Sequence, residues 1–320
     1  MNKDNNFKIS IIGPSYNEEG NLKEFVERCF LGFKKADVNG EIIIVDDGST
    51  DESRELLEKL SDTYGEDLKV YLHRSNFGLT EALSTGFSNA TGDYLIWISV
   101  DLESYPDDDI PKFVEGFREG YDVVAGSRIG RNDGKNLASK IYNLFCKKLF
   151  KIDLRDMNWT KGFHKGCLEF LHLRGDWHRF IMVMLHVEGF SIVEKDMDWH
   201  ERKYGKSNFG ISRFPKSIVD AISIWFLLKF SKRPMRLFGF LGLFTLILGF
   251  SIHVFLVVYY LLGYGQIRPL FWTAIALELS FIQLIFIGFI AELVEINKAK
   301  SGKINRGNKI LLKKQVSKST

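Results

Sequence analysis

Short apolar segments alternate with longer amphipathic segments over the first 130 residues of the chain. The apolar segments are KISIIG, EIIIVD, LKVYLH, YLIWIS and YDVVAG. Their content of Ile, Val, Leu and Tyr is typical of buried strands. Between the first two, a single apolar stripe recurs at helical spacing, formed by Leu22, Phe25, Val26, Cys29 and Phe33. The alternation predicts βαβ units on a mainly parallel sheet, which is an α/β fold.

A polar segment follows each of these predicted strands. In chain order the segments read PSYNEE, DDGSTDE, RSNFG, VDLESYPDD and GSRIGRNDG. In open α/β sheets, ligands bind at the carboxyl ends of the strands, where loops meet helix N-termini. Five polar loops at one edge of the sheet therefore predict a binding site at that edge.

Two long apolar segments follow residue 235. No Asp, Glu, Lys or Arg occurs between Arg236 and Arg268, a stretch longer than the roughly 20 apolar residues that span a bilayer core. The second apolar segment carries one charged residue, Glu278. The two segments predict transmembrane helices at about 237–263 and 269–291.

The distribution of basic residues predicts how these helices are oriented. Lys and Arg are frequent before the first apolar segment and after Glu295, whereas the connecting loop has only Arg268. Since Lys and Arg are retained on the cytoplasmic side, both termini are expected in the cytoplasm. The N-terminal residues are polar, so we expect no secretory signal. The net charge of +3 comes mostly from the basic tail, which favours anionic headgroups over nucleic acid as a partner.

The chain is therefore expected to have four regions. Residues 1–212 form the α/β domain, and residues 213–235 combine aromatic and basic residues as interfacial helices do. The transmembrane pair occupies residues 236–296, and a basic cytoplasmic tail occupies residues 297–320. A charged group inside a membrane span usually faces protein. Glu278 is therefore a candidate contact in a homo-oligomer formed through the transmembrane helices.

The ordered set of motifs resembles family 2 glycosyltransferases. The motifs are PSYNEE, IIIVDDGSTDES, HRSNFGLTEALSTGF, GDYLIWISVDLE, GSR and RKYGKS, followed by the two apolar spans. The arrangement is most similar to the polyprenyl-phosphate branch, which includes dolichyl-phosphate mannose synthase and the bactoprenol glucosyltransferases. The resemblance implies a GT-A fold and an inverting hexosyltransferase in a bacterial cytoplasmic membrane. Such an enzyme would move a sugar from a nucleotide-diphosphate sugar, UDP-glucose or similar, to undecaprenyl or dolichyl phosphate at the cytoplasmic face.

The resemblance also implies a donor site on the first three polar loops. Its candidate residues are Pro14, Tyr16, Glu18, Asp46, Asp47, Arg74, Asn76 and Gly78. The resemblance implies that Asp46 or Asp47 hydrogen-bonds the nucleotide base, and helix capping does not account for a second carboxylate. For Arg74, Asn76 and Gly78, a turn before a helix is an equally good explanation. For Asn17 and Glu19 of the first loop, helix-start chemistry is as good an explanation as contact with the donor.

The fourth loop carries the predicted metal ligands. A diphosphate leaving group requires a divalent cation, Mg²⁺ or Mn²⁺, and hard cations prefer carboxylate oxygens. Ser99 stands where the family usually has the first Asp, Asp101 holds the second, and Glu103 takes a position that is often Gln. Residues two apart after a strand project the same way, so Asp101 and Glu103 can share an ion; a solvated acidic turn is the alternative. Three further carboxylates are expected to be solvent-exposed caps of the next helix: Asp107, Asp108 and Asp109.

Basic residues are expected around the acceptor. A lipid phosphate is already an anionic nucleophile, so its attack needs charge control more than a general base. The resemblance implies that Arg128 lies near the acceptor phosphate with Lys135 and Ser139, although Lys replaces the usual Arg. In HERKYGKSNFG, Arg202 and Ser207 match the family's RxxGxSK loop, and Arg202 is expected to close over the diphosphate. The residues assigned to catalysis are Asp101, Arg128 and Arg202.

Two other functions fit the same sequence. A membrane glycosyltransferase that uses a hydroxyl of a lipid-linked glycan or polysaccharide would need a general base, for which Asp156 and His164 are candidates. A non-catalytic nucleotide-sugar-binding scaffold would explain why Ser99 and Asn208 depart from the family pattern. Product analysis separates the first alternative from the main prediction, and donor binding without turnover identifies the second.

Overall fold

The computed structural model describes residues 7–130, 144–171, 173–204, 213–230, 233–265 and 268–316. The chain divides into two compact units, Met1–Trp225 and Phe226–Thr320. The first unit contains the sheet, and the second contains the two long apolar helices.

One seven-stranded sheet forms the centre of the first unit. Its strands are β1 Lys8–Ser15, β2 Asn39–Asp46, β3 Leu68–Leu72, β4 Tyr94–Trp97, β5 Val123–Ile129, β6 Lys161–His164 and β7 Ile192–Asp198. The spatial order is β3-β2-β1-β4-β6-β5-β7, and only β6 runs antiparallel to its neighbours. The prediction of a mainly parallel α/β sheet is confirmed, with its five strands at β1 to β5. The sequence pattern did not reveal β6 and β7, which are polar or short.

Helices accompany the sheet in the part of the chain that the structure describes. Among them are α1 Glu19–Ala36, α2 Ser53–Tyr64, α3 Leu79–Asn89, α4 Pro106–Arg118 and α5 Ile181–Val187. The apolar stripe predicted for α1 is buried over its whole length and joins the main core cluster. Burying each such side chain stabilises the fold by about 1.5–3 kcal/mol relative to exposure. This packing fixes α1 on the sheet, so that the loop before the helix lies at the carboxyl edge.

Glu41 is a buried carboxylate on β2 with four donors. Its Oε2 accepts from Lys69 Nζ at 2.8 Å and from Lys8 Nζ at 3.4 Å, and its Oε1 accepts from Ser10 Oγ and Thr91 N, both at 2.6 Å. Burial by itself raises the pKa of Glu41, but the bonds from Lys69, Ser10 and Thr91 outweigh it and lower the pKa to about 2. The charged form of Glu41 therefore stabilises the folded state.

Replacing Glu41 with glutamine should destabilise the protein in a pH-dependent way. The folded pKa lies below the unfolded one, so the stabilisation is complete above about pH 4.5 and is lost as the pH falls toward 2. We expect Glu41→Gln to lower the free energy of unfolding by about 2–3 kcal/mol at pH 7. Thermal melts of the full-length protein should show a Tm difference that shrinks below pH 4.5. The exposed residue Glu66 supplies the control Glu66→Gln, and a Glu41→Gln deficit independent of pH would contradict the account.

The C-terminal part of the chain contains three further helices. They are α6 Arg213–Phe230, α7 Pro234–Leu261 and α8 Arg268–Val316. Helix α7 and the Arg268–Asn297 part of α8 are long and apolar enough to cross a membrane, by length and composition. Their positions agree with the two predicted spans. The second helix also continues without a break into the basic tail.

Small residues bring α7 and α8 close together. A Cβ on Gly249 would lie 2.9 Å from the carbonyl oxygen of Ala274, so the two backbones approach as they do in membrane helix pairs. Beside this contact, His253 Nδ1 lies 2.8 Å from Glu278 Oε1. Glu278 thus has a polar partner within the same chain, and its role in a contact between subunits stays a prediction.

Candidate active site

The loops after β1 and β2 form one hydrogen-bonded unit. Asn17 N donates to Ser49 Oγ at 2.9 Å, and Thr50 N donates to Asn17 Oδ1 at 2.8 Å. The Glu19 carboxylate accepts from Glu52 N at 2.8 Å. Asn17 takes a left-handed conformation with a φ of 55°. Asn17 and Glu19 therefore tie the two loops together, whereas α1 has no side-chain cap at its start.

Asp46 is fully buried at the end of β2. Its Oδ2 accepts from Ser49 N at 3.1 Å and from Arg54 Nε at 3.0 Å, and Arg54 also donates to the carbonyl oxygen of His73 at 2.6 Å. Its Oδ1 has no hydrogen-bond partner among the described residues. An unsatisfied buried carboxylate oxygen is a candidate acceptor for a ligand N–H. Arg54 fixes this carboxylate from the first turn of α2, a role that no motif in the sequence indicates.

Asp47 holds the loop that follows β3. Its Oδ1 accepts from Phe77 N at 2.9 Å and lies 2.8 Å from His73 Nδ1, and its Oδ2 accepts from Gly78 N at 2.7 Å. Both carboxylate oxygens are therefore engaged by protein. The sequence left open which of the two Asp residues bonds the base, and this geometry favours Asp46.

The loop at residues 74–78 rests on Gly48. A Cβ on Gly48, whose φ is 79°, would lie 2.4 Å from the Ser75 carbonyl carbon, so no larger residue fits. Gly78 has a φ of 97° and is the N-cap residue before α3, and its N–H donates to Asp47 Oδ2. Arg74 and Asn76 are exposed at the loop surface. Gly78 thus has a defined backbone role, while Arg74 and Asn76 remain accessible to a ligand.

Glu18 connects the donor loops with the predicted metal loop. Its Oε2 accepts from Asn21 Nδ2 at 2.6 Å. Burial raises the pKa of Glu18 to about 7, opposed by the Asn21 bond and Arg202 and reinforced by the charge of Asp101. The Glu18 carboxylate thus interacts electrostatically with Asp101 and Arg202, besides lying on the loop assigned to the donor. Two other donor candidates of this loop are accessible, Pro14 half-buried and Tyr16 with 40% exposure.

Asp101 and Glu103 converge on a single cationic group, the guanidinium of Arg202. Arg202 Nη2 lies 2.6 Å from Asp101 Oδ2, and its Nε donates to Glu103 Oε1 at 2.7 Å. Strand β4 ends at Trp97, so strand alternation is not what aligns the two carboxylates. Leu102 between them has a φ of 55° and is buried in the core. The left-handed turn places Leu102 inward and lets both neighbours face Arg202, at a conformational cost of about 1–3 kcal/mol.

This pair of carboxylates fits a shared divalent cation. Burial raises the pKa of Asp101 to about 6, opposed by Arg202 and reinforced by Glu103. Mg²⁺ in transferase sites is commonly held by one or two carboxylates together with substrate phosphates. Among the described residues, no group of three or more His, Cys, Asp or Glu side chains converges as a metal cluster. The site therefore suits a cation whose remaining ligands come from the substrate diphosphate and water.

Arg128 is held by a bidentate ion pair with Asp156. Arg128 Nε lies 2.5 Å from Asp156 Oδ2, and Nη2 lies 3.1 Å from Oδ1. Its guanidinium also lies 5.6 Å from the ring centroid of Trp159. Asp156, a candidate general base, thus has both oxygens engaged. The other candidate base, His164, pairs with Tyr94 at the beginning of β4, away from the carboxyl edge.

A buried polar cluster supports the segment that carries Asp156. Lys161 is fully buried and donates to the carbonyl oxygens of Met157 at 3.1 Å and His178 at 3.3 Å. Burial lowers its pKa to about 7. Burial also lowers the pKa of His178 to about 3, and its Nδ1 lies 2.7 Å from Thr80 Oγ1. No sequence pattern indicates this cluster, because lysine is usually an exposed residue.

The prediction of three solvated caps on α4 is wrong for two of the residues. Asp107 binds Arg28 at 2.7 Å and Lys35 at 2.8 Å, and Asp109 is 1% exposed. Only Asp108 is exposed. The reason is tertiary, because α4 packs against α1 and draws these carboxylates into the interface. Three acceptor-phosphate candidates lie outside the described residues: Lys135, Ser139 and Ser207.

The sequence and the fold identify the class of protein. Residues 10–183 match the model of glycosyl transferase family 2, and the chain belongs to this family. It is 30% identical over 302 residues to dodecaprenyl-phosphate galacturonate synthase of Rhizobium johnstonii, covering 90% of this chain and 87% of the relative. It is 28% identical over 254 residues to undecaprenyl-phosphate 4-deoxy-4-formamido-L-arabinose transferase of Proteus mirabilis, covering 78% and 76%.

Solved structures share the fold at low sequence identity. Glucosyl-3-phosphoglycerate synthase of Mycobacterium tuberculosis, in complex with Mn²⁺, UDP and phosphoglyceric acid, has a TM-score of 0.54 and 15% identity, covering 71% of this chain and 80% of that one. Mannosyl-3-phosphoglycerate synthase of Rubrobacter xylanophilus has a TM-score of 0.55 and 17% identity, covering 69% and 74%. The protein is a glycosyltransferase with a GT-A-like fold, which confirms the predicted fold and enzyme class.

Proposed function

We propose that this enzyme transfers a sugar from a nucleotide-diphosphate sugar to a polyprenyl phosphate at a membrane surface. The observation that carries the proposal is the convergence of Asp101 and Glu103 on one cationic group, beside the loops assigned to the donor. The relatives named above are, by their names, enzymes of polyprenyl phosphates. Inversion at the anomeric carbon would follow from a single displacement by the phosphate oxygen.

The nucleotide would bind on the joined loops after β1 and β2. The unpartnered Oδ1 of Asp46 supplies an acceptor for a base N–H, and Tyr16 and Glu18 would flank the ribose. Arg74 and Asn76 would close the site from the third loop. UDP-glucose is the first donor to test, and GDP-mannose is the natural comparison.

Asp101 and Glu103 would hold Mg²⁺ or Mn²⁺ together with the donor diphosphate. Bound there, the cation supplies charge neutralisation to the leaving diphosphate. The two carboxylates would exchange the Arg202 guanidinium for the ion. Arg202, once released, is a fixed cation close enough to pair with phosphate oxygens.

The acceptor chemistry favours a phosphate over a hydroxyl. Arg128 is oriented by Asp156, and its positive charge interacts electrostatically with the Asp101 carboxylate. A guanidinium in this position suits an anionic acceptor. A hydroxyl acceptor would need a free base, but Asp156 is engaged and His164 lies at the other edge. Lys135, Ser139 and Ser207 remain proposed phosphate contacts on the basis of the family resemblance.

The membrane arrangement is part of the same proposal. Helices α7 and α8 would cross the bilayer with both termini in the cytoplasm, as the basic residues predict. On α6, Val219, Ile222 and Phe226 are exposed at helical spacing, which is typical of a helix lying in the interface. The regions 1–212, 213–235, 236–296 and 297–320 would then be catalytic, interfacial, transmembrane and cytoplasmic in turn.

The test uses purified full-length protein in detergent with polyprenyl phosphate, Mn²⁺ or Mg²⁺, and a panel of UDP- and GDP-sugars. We expect an acid-labile lipid-phosphate sugar whose formation stops on addition of a chelator. An acid-stable glycosidic product would establish the hydroxyl-acceptor alternative. Donor binding without turnover across the panel would overturn the proposal.

A further inference from the structure

The segment after β7 is fastened to the first unit at several points. The ring of His200 stacks on that of Tyr105 with centroids 3.6 Å apart, and the guanidinium of Arg28 lies 3.8 Å from the centroid of the same Tyr105 ring. The His200 N–H donates to the carbonyl oxygen of Glu103 at 3.0 Å. We call residues 199–204 the strap. At its start, therefore, the strap is bound directly to the turn that carries the predicted metal ligands.

The end of the strap rests on α1. Lys203 Nζ lies 2.8 Å from both carboxylate oxygens of Glu24. A Cβ on Gly20 would lie 2.9 Å from Cγ of Tyr204 and 3.0 Å from its Cδ2, so the Tyr204 ring lies against the bare Cα of Gly20. Arg202 therefore lies in the strap between the stacked His200 on one side and the contacts of Lys203 and Tyr204 with α1 on the other.

The backbone conformation of Gly20 does not require a glycine. It lies in the first turn of α1, and it is not among the residues with positive φ. Glycine in a helix is destabilising relative to alanine. The space that glycine leaves is filled by the Tyr204 ring. Glycine at this position therefore allows the Tyr204 ring of the strap to pack against α1.

Arg202 and a divalent cation require the same two carboxylates. Asp101 and Glu103 each bind the guanidinium within 2.7 Å. When a site is filled by a competing group for part of the time, the apparent affinity of the ligand falls by the free fraction. Any contact that holds Arg202 in place therefore weakens cation binding before the donor arrives.

We propose that Tyr204, seated on Gly20, and Lys203, bound to Glu24, are positioning residues that hold Arg202 against Asp101 and Glu103. The strap is then a latch that a divalent cation must displace, and the released Arg202 is kept beside the diphosphate. This assignment rests on the proposed function for its catalytic consequence, but not for the competition itself. It makes α1 a determinant of metal affinity although none of its side chains is a proposed ligand.

The experiment measures Mn²⁺ binding to the full-length protein by electron paramagnetic resonance, without sugar or lipid. Tyr204→Ala and Gly20→Ala should each tighten Mn²⁺ binding by about five- to tenfold, while kcat falls in the transfer assay. Tyr204→Phe keeps the ring on Gly20 and should match the wild type. Lys203→Gln should give a smaller change in the same direction, which Lys203→Arg restores.

A double substitution separates positioning from general damage. In the Tyr204→Ala background, Gly20→Ala should change Mn²⁺ affinity no further and should raise Tm, because the added Cβ then meets no ring. Unchanged or weaker Mn²⁺ binding in both single variants, or additive effects in the double variant, would overturn the latch. Tighter Mn²⁺ binding in the variants with no polyprenyl product from the wild type would keep the latch and reject the acceptor assignment.

Discussion

Replacing Asp101 with asparagine is expected to lower kcat/KM for sugar transfer by about 10³-fold, the scale reported for losing one preorganised electrostatic partner of a developing charge. The amide keeps the size of the side chain but removes the negative charge that faces Arg202 at 2.6 Å. A neutral oxygen is a weak ligand for a hard cation, so Mn²⁺ binding should be lost together with activity.

Stability should not explain that loss. Because burial raises the pKa of Asp101 to about 6, the charged form is the one that the fold disfavours. We therefore expect the Tm of Asp101→Asn to equal or exceed that of the wild type. Asp108→Asn, at an exposed position of the following helix, is the matched control and should retain full activity. An Asp101→Asn enzyme with activity within a few-fold of the control would remove Asp101 from the reaction.

Arg128→Lys is expected to lower kcat by about 10²-fold with a much smaller change in donor KM. Lysine keeps the positive charge but cannot reproduce the bidentate pair that Arg128 makes with Asp156 at 2.5 and 3.1 Å. If the guanidinium serves the acceptor phosphate, its fixed orientation matters in the transfer step more than in donor binding. Steady-state kinetics with the donor and the lipid varied separately measure the two effects.

Arg128→Ala should add a loss of stability to the loss of rate. Removing Arg128 leaves the largely buried Asp156 without its ion-pair partner, at a cost of about 3–5 kcal/mol. The neighbouring Arg155 is 59% exposed in its ion pair with Glu194, so Arg155→Lys serves as the control and should be active and stable. Equal kinetics for Arg128→Lys and Arg155→Lys would show that the bidentate pair of Arg128 with Asp156 does not contribute to transfer.

The structure also explains which sequence predictions succeeded. The stripe on α1 follows from local periodicity, because burial on one face imposes a spacing that is visible in the residues themselves. Strands β1, β2, β4 and β5 are recognisable as continuous apolar segments, because they are buried on both faces. Strands β6 and β7 carry no such signal. Lys161 begins β6 as a fully buried lysine, which contradicts the usual exposure of that residue type.

Within the site, the residue types were predictable and their partners were not. Hard-cation chemistry identifies Asp101 and Glu103 as a pair. Their alignment comes from the left-handed backbone of Leu102, and no pattern of residues along the chain indicates that conformation. Arg202 is predicted to close over the diphosphate, and only the structure shows that its guanidinium pairs with the two carboxylates. Asp46 and Asp47 are adjacent in sequence, and only the contacts of Arg54 and the 74–78 loop distinguish their environments.

The sequence by itself determined the α/β order, the polar edge, the two apolar spans and the glycosyltransferase resemblance. These properties depend on local spacing and on motifs whose residues lie within a few positions of one another. Only the tertiary structure shows that Asp46 keeps an oxygen without a partner among the described residues and that the Arg202 guanidinium contacts both predicted metal ligands. It also explains why position 20 is glycine. Those outcomes depend on contacts between residues far apart in the chain, such as Tyr204 with Gly20, whose formation is set by packing of the whole unit.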